Sequence, residues 1–175
     1  MMRRQLTGQL ILALLAMIAV GACSSTNGPG GFTLDDLSDP DSNTAVVMLD
    51  QDVIEGNDTV KAGVQEVYLV DTGRAWEELS ANSGLKQVRF TVADPYSTAR
   101  YLIDGTTNTF RWIGPTGREY YPILDCPVTV RSAFVIDTRS TLWLETACTV
   151  APVGGGGSVT ILVKARRVGM PITQP

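Results

Sequence analysis

Two runs, 128 to 136 and 140 to 149, alternate apolar with polar residues on either side of a break at Asp137, and that alternation constrains the fold more than any other feature. Side chains along a strand point to opposite faces with period two, so a hairpin has one register that buries the apolar half of both strands. In that register Val128 faces Thr146, Val130 faces Leu144 and Ser132 faces Leu142, with Phe134 and Ile136 continuing the same face. The same register brings Cys126 opposite Cys148. The reverse face then carries Thr129 opposite Glu145 and Arg131 opposite Trp143, a mostly polar surface with an Arg131–Trp143 cation–π pair. The prediction is a hairpin turning around Asp137 and stapled by a Cys126–Cys148 disulfide. A redox-active pair would ordinarily sit much closer in sequence, as Cys-x-x-Cys.

The rest of the chain from Thr44 onward repeats this chemistry in short runs rich in Val, Ile, Thr, Tyr, Phe and Trp. Further strands are expected at 45 to 50, 64 to 70, 85 to 93, 97 to 103, 106 to 113, 118 to 124 and 158 to 166. Asp104-Gly105 fits a two-residue hairpin turn, Gly114 to Gly117 a second turn, and Val153 to Ser158 a third connection. One helix is expected over 74 to 83, where Ala75, Trp76 and Leu79 form an apolar stripe, Glu77 and Glu78 favour the N-terminal half and Gly84 can take the left-handed stop. The expected fold is an all-β, antiparallel β-sandwich of about eight or nine strands with one short helix, disulfide-stapled, over residues 44–170, with 171–175 as a tail.

Ahead of this domain the chain opens with Arg3 and Arg4, continues with an unbroken apolar run from Leu10 to Val20, and ends that run with Gly21, Ala22 and Cys23. This is the layout of a secretory signal peptide over residues 1–22. Eleven apolar residues in a helix rise about 16 Å, well short of the roughly 30 Å hydrocarbon core of a bilayer. Val20-Gly21-Ala22-Cys23 resembles the lipobox of bacterial lipoproteins: an aliphatic residue, two small residues, then cysteine. The resemblance covers the first 23 residues and implies that the Cys23 thiol receives a diacylglyceryl group, that the peptide is cut before it, and that the new amine is acylated. Two or three acyl chains hold a protein on a membrane where one binds only reversibly. Ser24, standing where an Asp would signal retention, implies sorting to the outer membrane with the domain in the periplasm. Residues 23–43, rich in Ser, Gly, Pro, Asn and Asp, are expected to be the lipidated cysteine and a flexible tether.

Composition excludes several chemistries. The chain has no histidine, which removes Ser-His-Asp and Cys-His nucleophile systems, histidine-based zinc sites and histidine general bases. Without Arg3 and Arg4 the 14 basic residues fall to 12 against 18 acidic, a formal charge of −6, and the only basic group is Lys164, Arg166 and Arg167. Such a chain lacks the electrostatic footprint of a nucleic-acid binder. Asp39, Asp41 and Asn43 have the spacing that opens an EF-hand loop, but Thr44 stands where that loop needs glycine, so no metal is expected. The glycines at 154 to 157 resemble a phosphate cradle only in composition, because no lysine precedes Ser158 and β-branched residues follow.

Two motifs remain. Val67 to Gly73 resembles the apolar-apolar-Asp-Thr-Gly strand end of aspartic proteases, with Trp112-Ile113-Gly114 as its later apolar-apolar-Gly partner, which implies an enzyme only if Asp71 from two chains share a proton. Arg74, where a small residue is usual, and the turn after Gly114 depart from that pattern. Trp112, Trp143, Tyr120 and Tyr121, with Arg131, are the candidate binding surface for a sugar ring or a partner protein. The sequence therefore favours a non-enzymatic, lipid-anchored envelope subunit with a protein partner, no cofactor and no catalytic residue. A glycan- or ligand-binding module is the alternative, and an aspartic-protease-like enzyme the remote one.

Overall fold

A computed structural model of the chain describes residues 31–64, 66–71, 78–92, 99–135 and 139–171. Among the described residues twelve strands follow one another: β1 (Thr44–Leu49), β2 (Val53–Glu55), β3 (Asp58–Val60), β4 (Glu66–Asp71), β5 (Glu78–Ser83), β6 (Lys86–Thr91), β7 (Ala99–Leu102), β8 (Thr109–Ile113), β9 (Glu119–Pro122), β10 (Pro127–Val135), β11 (Arg139–Pro152) and β12 (Val159–Pro171). Eight of them close on themselves in the order β1-β4-β5-β6-β8-β9-β11-β12, because β12 pairs with β11 on one edge and with β1 on the other. All pairings are antiparallel. The result is a closed barrel, not the expected sandwich of two stacked sheets. Closure removes the edges that an open sheet must protect.

The barrel is strongly staggered. From Thr44 one circuit runs through Leu69, Asn82, Gln87, Ile113 and Glu119, whose carbonyl accepts from the Val153 amide. The opposite circuit runs through Arg166 to Trp143 of β11, ten residues before Val153, which directly follows that strand. A stagger of this size goes with strands tilted about 35–45° to the axis.

Two staves of the wall are interrupted. β9 and β10 lie one after the other along the same edge of β11, with the Ile123 amide donating to Thr149 between them. β8 and β7 lie correspondingly along β9 and β10. Asp104 and Gly105 therefore do not make the expected hairpin turn, since β7 and β8 run the same way. The Asp104 carboxylate instead accepts from the amides of Thr106, Thr107 and Asn108 at 2.8–3.0 Å, folding the segment out as a loop. The turn at Gly114 is as expected, closed by Gly114 donating to the Arg118 carbonyl at 2.8 Å.

The expected helix is overturned. Residues 78–83 form β5, and the rest of the predicted span, 74–77, lies outside the described residues. Leu79 and Ala81 alternate into the core, and Gly84, with φ +58°, opens the two-residue turn to β6 rather than stopping a helix. Among the described residues the only helical element is a 3-10 turn, Leu34–Asp36.

Residues 31–43, the described part of the stretch expected from its composition as tether, form a strap on the barrel's outer surface. Phe32, Leu34 and Leu37, the last only 3% exposed, pack on Val46 and Met48 of β1, Ala147 of β11 and Leu162 of β12. The buried Lys164 ammonium donates to the Leu37 carbonyl at 3.0 Å and reaches Asp39 at 3.3 Å. Asn43, at φ +63°, turns the strap into β1 and accepts from the Val168 amide through its side chain. Lys164→Met, which keeps the apolar stem and removes the ammonium, should cost about 1–2 kcal/mol. It should also speed proteolytic cutting within residues 32–43, and unchanged cutting would mean that the apolar contacts alone hold the strap.

Candidate functional site

The barrel interior is filled with side chains. Trp112, Tyr68, Phe90 and Phe110 are all buried to within 2% of complete, and the Trp112 and Tyr120 rings meet at 4.6 Å between centroids. Burial pushes the Tyr68 phenol well above its ordinary value. Eight strands leave an interior that side chains of this size can occupy.

The aromatics singled out by the sequence do not share a face. Trp112 and Tyr120 point inward, Tyr121 is exposed, and Trp143 lies half-buried on the outer wall. No platform joins them. The register around Trp143 is the expected one, with Arg131 opposite it, but the guanidinium over its ring belongs to Arg166 of β12, 4.7 Å from the centroid. Arg131 instead reaches Glu145 at 3.4 Å. A third strand on the far side of β11 supplies the cation, a neighbour that a two-stranded reading could not include.

The disulfide is present between Cys126 and Cys148, both fully buried in the core. Thr146, also buried, donates from its hydroxyl to the Pro127 carbonyl at 2.8 Å and lies beside both sulfurs. The Asp137 turn of that hairpin lies outside the described residues.

Asp71 ends β4, and Thr72 and Gly73 lie outside the described residues. Successive pairing places Asp71 beside Ser80, Ser80 beside Arg89 and Arg89 beside Arg111, so three strand spacings, about 14 Å, separate Asp71 from β8. Trp112-Ile113-Gly114 runs from β8 into a hairpin turn. Cys23 and its lipobox also fall outside the described residues.

Sequence reasoning missed one buried acid. The β2–β3 hairpin brings Val53 and Val60 into the core and carries Glu55, 5% exposed, to the turn between β8 and β9. One carboxylate oxygen accepts from the Thr116 amide at 3.0 Å and from its hydroxyl at 2.5 Å. The other lies against Gly114, where a Cβ would intrude on the carboxylate. Burial pushes this carboxyl up, but hydrogen bonds from Thr116 and Tyr120 and the charge of Arg118 outweigh it and hold it below the ordinary value of 4.5. Isolated in sequence as Ile54-Glu55-Gly56, Glu55 offers no spacing signal; its partners are about sixty residues away.

The sign of its pH effect follows. With the folded value depressed, the stability contributed by Glu55 is fully present above about pH 4.5 and is lost as pH falls through the folded value. Stability measured by denaturant titration from about pH 6 down to pH 3 should therefore fall less steeply in Glu55→Gln than in the parent. Parallel curves would remove Glu55 from the acid limb.

Compared with known proteins, the chain matches no protein-family model, no curated protein and no solved structure.

Proposed function

We propose that the chain is a non-enzymatic, lipid-anchored envelope lipoprotein, held at the outer membrane through Cys23 with its barrel in the periplasm. In this reading the barrel acts as an accessory or structural subunit docking on an envelope protein assembly. The address rests on the lipobox sequence at Val20–Cys23. The filling of the interior by Trp112, Tyr68, Phe90 and Phe110 supports contact rather than enclosure as the mode of action. Work is then done on the outer walls.

The wall of β4 and the β5–β6 turn offers a surface suited to a protein partner, with Leu69 74% and Leu85 75% exposed and Val67 beside them. Photo-cross-linking from position 69 in intact cells should join the barrel to a protein, while a cross-linker at Arg118, in another part of the fold, should not give the same product. Equal labelling from both positions, or none from position 69, would count against docking through this wall.

A further inference from the structure

We propose that the β2–β3 hairpin is a lid across one mouth of the barrel, hinged where β1 passes to β4 and latched by Glu55 on the β8–β9 turn, which opens as a unit while the staves stay paired. The proposal concerns the barrel alone and stands whether or not Cys23 is acylated.

Residues 50–62 leave the wall at the end of β1 and return to it ahead of β4. The two short strands pair with each other as a separate sheet and take no place in the barrel's ladder. The hairpin is braced internally, since the Asp52 carboxylate accepts from the Ala62 amide at 2.8 Å and from the Lys61 ammonium at 2.7 Å. Its two ends meet at the wall. The Gly63 amide donates to the Leu49 carbonyl at 2.9 Å, with Gly63 at φ +64°, a conformation glycine adopts without strain. Asp50 is tied to Thr160 through both its amide and its carboxylate, and the Gln51 side chain donates to the Ser158 carbonyl.

The tip lands on the opposite side. In the closed order β1-β4-β5-β6-β8-β9-β11-β12, two staves separate the pair β1–β4 from the pair β8–β9 in either direction. The hairpin therefore crosses the whole mouth. At its far end the Glu55 carboxylate takes the Thr116 amide and hydroxyl, with Tyr120 and Arg118 beside it and Gly114 leaving the room it occupies. Between hinge and latch, Val53 and Val60 pack into the core while Ile54 is exposed. Among the described residues, two valines and one carboxylate thus secure the lid beyond its hinge. Elements held by few apolar contacts open at less free energy than the body they cover. Swinging on the hinge carries Val53 and Val60 out of the core and opens a route to the interior that parts no stave.

The test is hydrogen exchange, read by mass spectrometry on the full chain purified from membranes, over a series of low urea concentrations. Peptides within 50–62 should exchange faster than those of β11 and β12 and depend less on urea, the mark of an opening smaller than unfolding. Glu55→Gln, checked by circular dichroism for retained β-structure, should speed exchange across all of 50–62 by about tenfold, the difference between hydrogen bonds to a charged and to a neutral acceptor. In the parent, exchange there, corrected for the intrinsic rate, should rise as pH falls below the ordinary carboxyl value of 4.5, because the lowered folded value of Glu55 is then being crossed. The variant should lack that rise. The groups facing the carboxylate are Arg118 of the turn, Tyr120 of β9 and Asp58 opposite it in the hairpin. All three are present in both proteins, so their difference isolates Glu55. Exchange of 50–62 at the rates and urea dependence of β11 and β12 would mean that the hairpin opens only with the barrel, and overturns the proposal. In Glu55→Gln, acceleration confined to 55–58 is fraying of the tip, and no acceleration means no latch; either result overturns it as well.

Discussion

Trp112→Ala should lower the stability of the barrel by about 3–5 kcal/mol, the usual cost of removing a fully buried aromatic side chain. Trp112 is 0% exposed, faces Val88 on β6 and Tyr120 on β9 in register, and its ring lies 44° from the plane of Tyr120. Removal leaves a cavity that backbone hydrogen-bonded on both sides cannot collapse to fill. A domain of this size holds only about 5–15 kcal/mol in total, so the variant should melt on the order of 10 °C lower, or fold incompletely. Trp143→Ala is the matched control, because the same side chain is removed from the outer wall. It should cost no more than about 1 kcal/mol, its ring contributing an aromatic–cation contact rather than core. Urea titration of both variants checks the pair, and a loss below about 1 kcal/mol for Trp112→Ala would contradict its place in the interior.

The contrast between these tryptophans shows what a sequence pattern can carry. Alternation identified the strands of the second half and set the β10–β11 register, since Val128, Val130, Leu142 and Leu144 left one way to be buried together. It could not separate a barrel from a sandwich, because both present one apolar face per strand. The difference lies in the pairing of Thr44–Leu49 with Ile161–Arg166, the two ends of the domain, and no local pattern reports that contact. Trp112 and Trp143 differ in the same way, both lying in strands with only parity to distinguish inside from outside.

The misread helix has a local cause. Glu78-Leu79-Ser80-Ala81-Asn82-Ser83 holds no β-branched residue, and its neighbours Ala75 and Trp76 complete a stripe with Leu79 at helical spacing. Pairing on both edges, with β4 and with β6, overrides that weak propensity. The strap was invisible for another reason. Phe32, Leu34 and Leu37 sit among Gly, Asp and Ser, and only the apolar outer patch at Val46, Met48, Ala147 and Leu162 gives them somewhere to go. Those four alternate on the outward parity, a breach of the polar-outside rule that becomes informative once the inward set is known.

Removing the disulfide should cost about 3 kcal/mol, the chain-entropy value for a closed loop of about this length, when Cys126 and Cys148 are both replaced by alanine. The bond joins the link between β9 and β10 to the middle of β11, where the wall passes from one stave segment to the next. Register there is otherwise held by the Ile123 amide on Thr149 and the Thr146 hydroxyl on the Pro127 carbonyl. Replacing one cysteine alone should cost no less, since it leaves a lone thiol in a fully buried site. Both sulfurs are inaccessible in the folded barrel, so reduction must follow opening of the structure. In dithiothreitol the folded chain should therefore stay oxidised under native conditions, and the rate of thiol trapping should rise with urea in parallel with unfolding. Rapid reduction without denaturant would show that the junction between β9 and β10 opens by itself. A double alanine variant as stable as the parent would mean that the barrel's closed hydrogen-bonded ring, and not the covalent staple, fixes the junction.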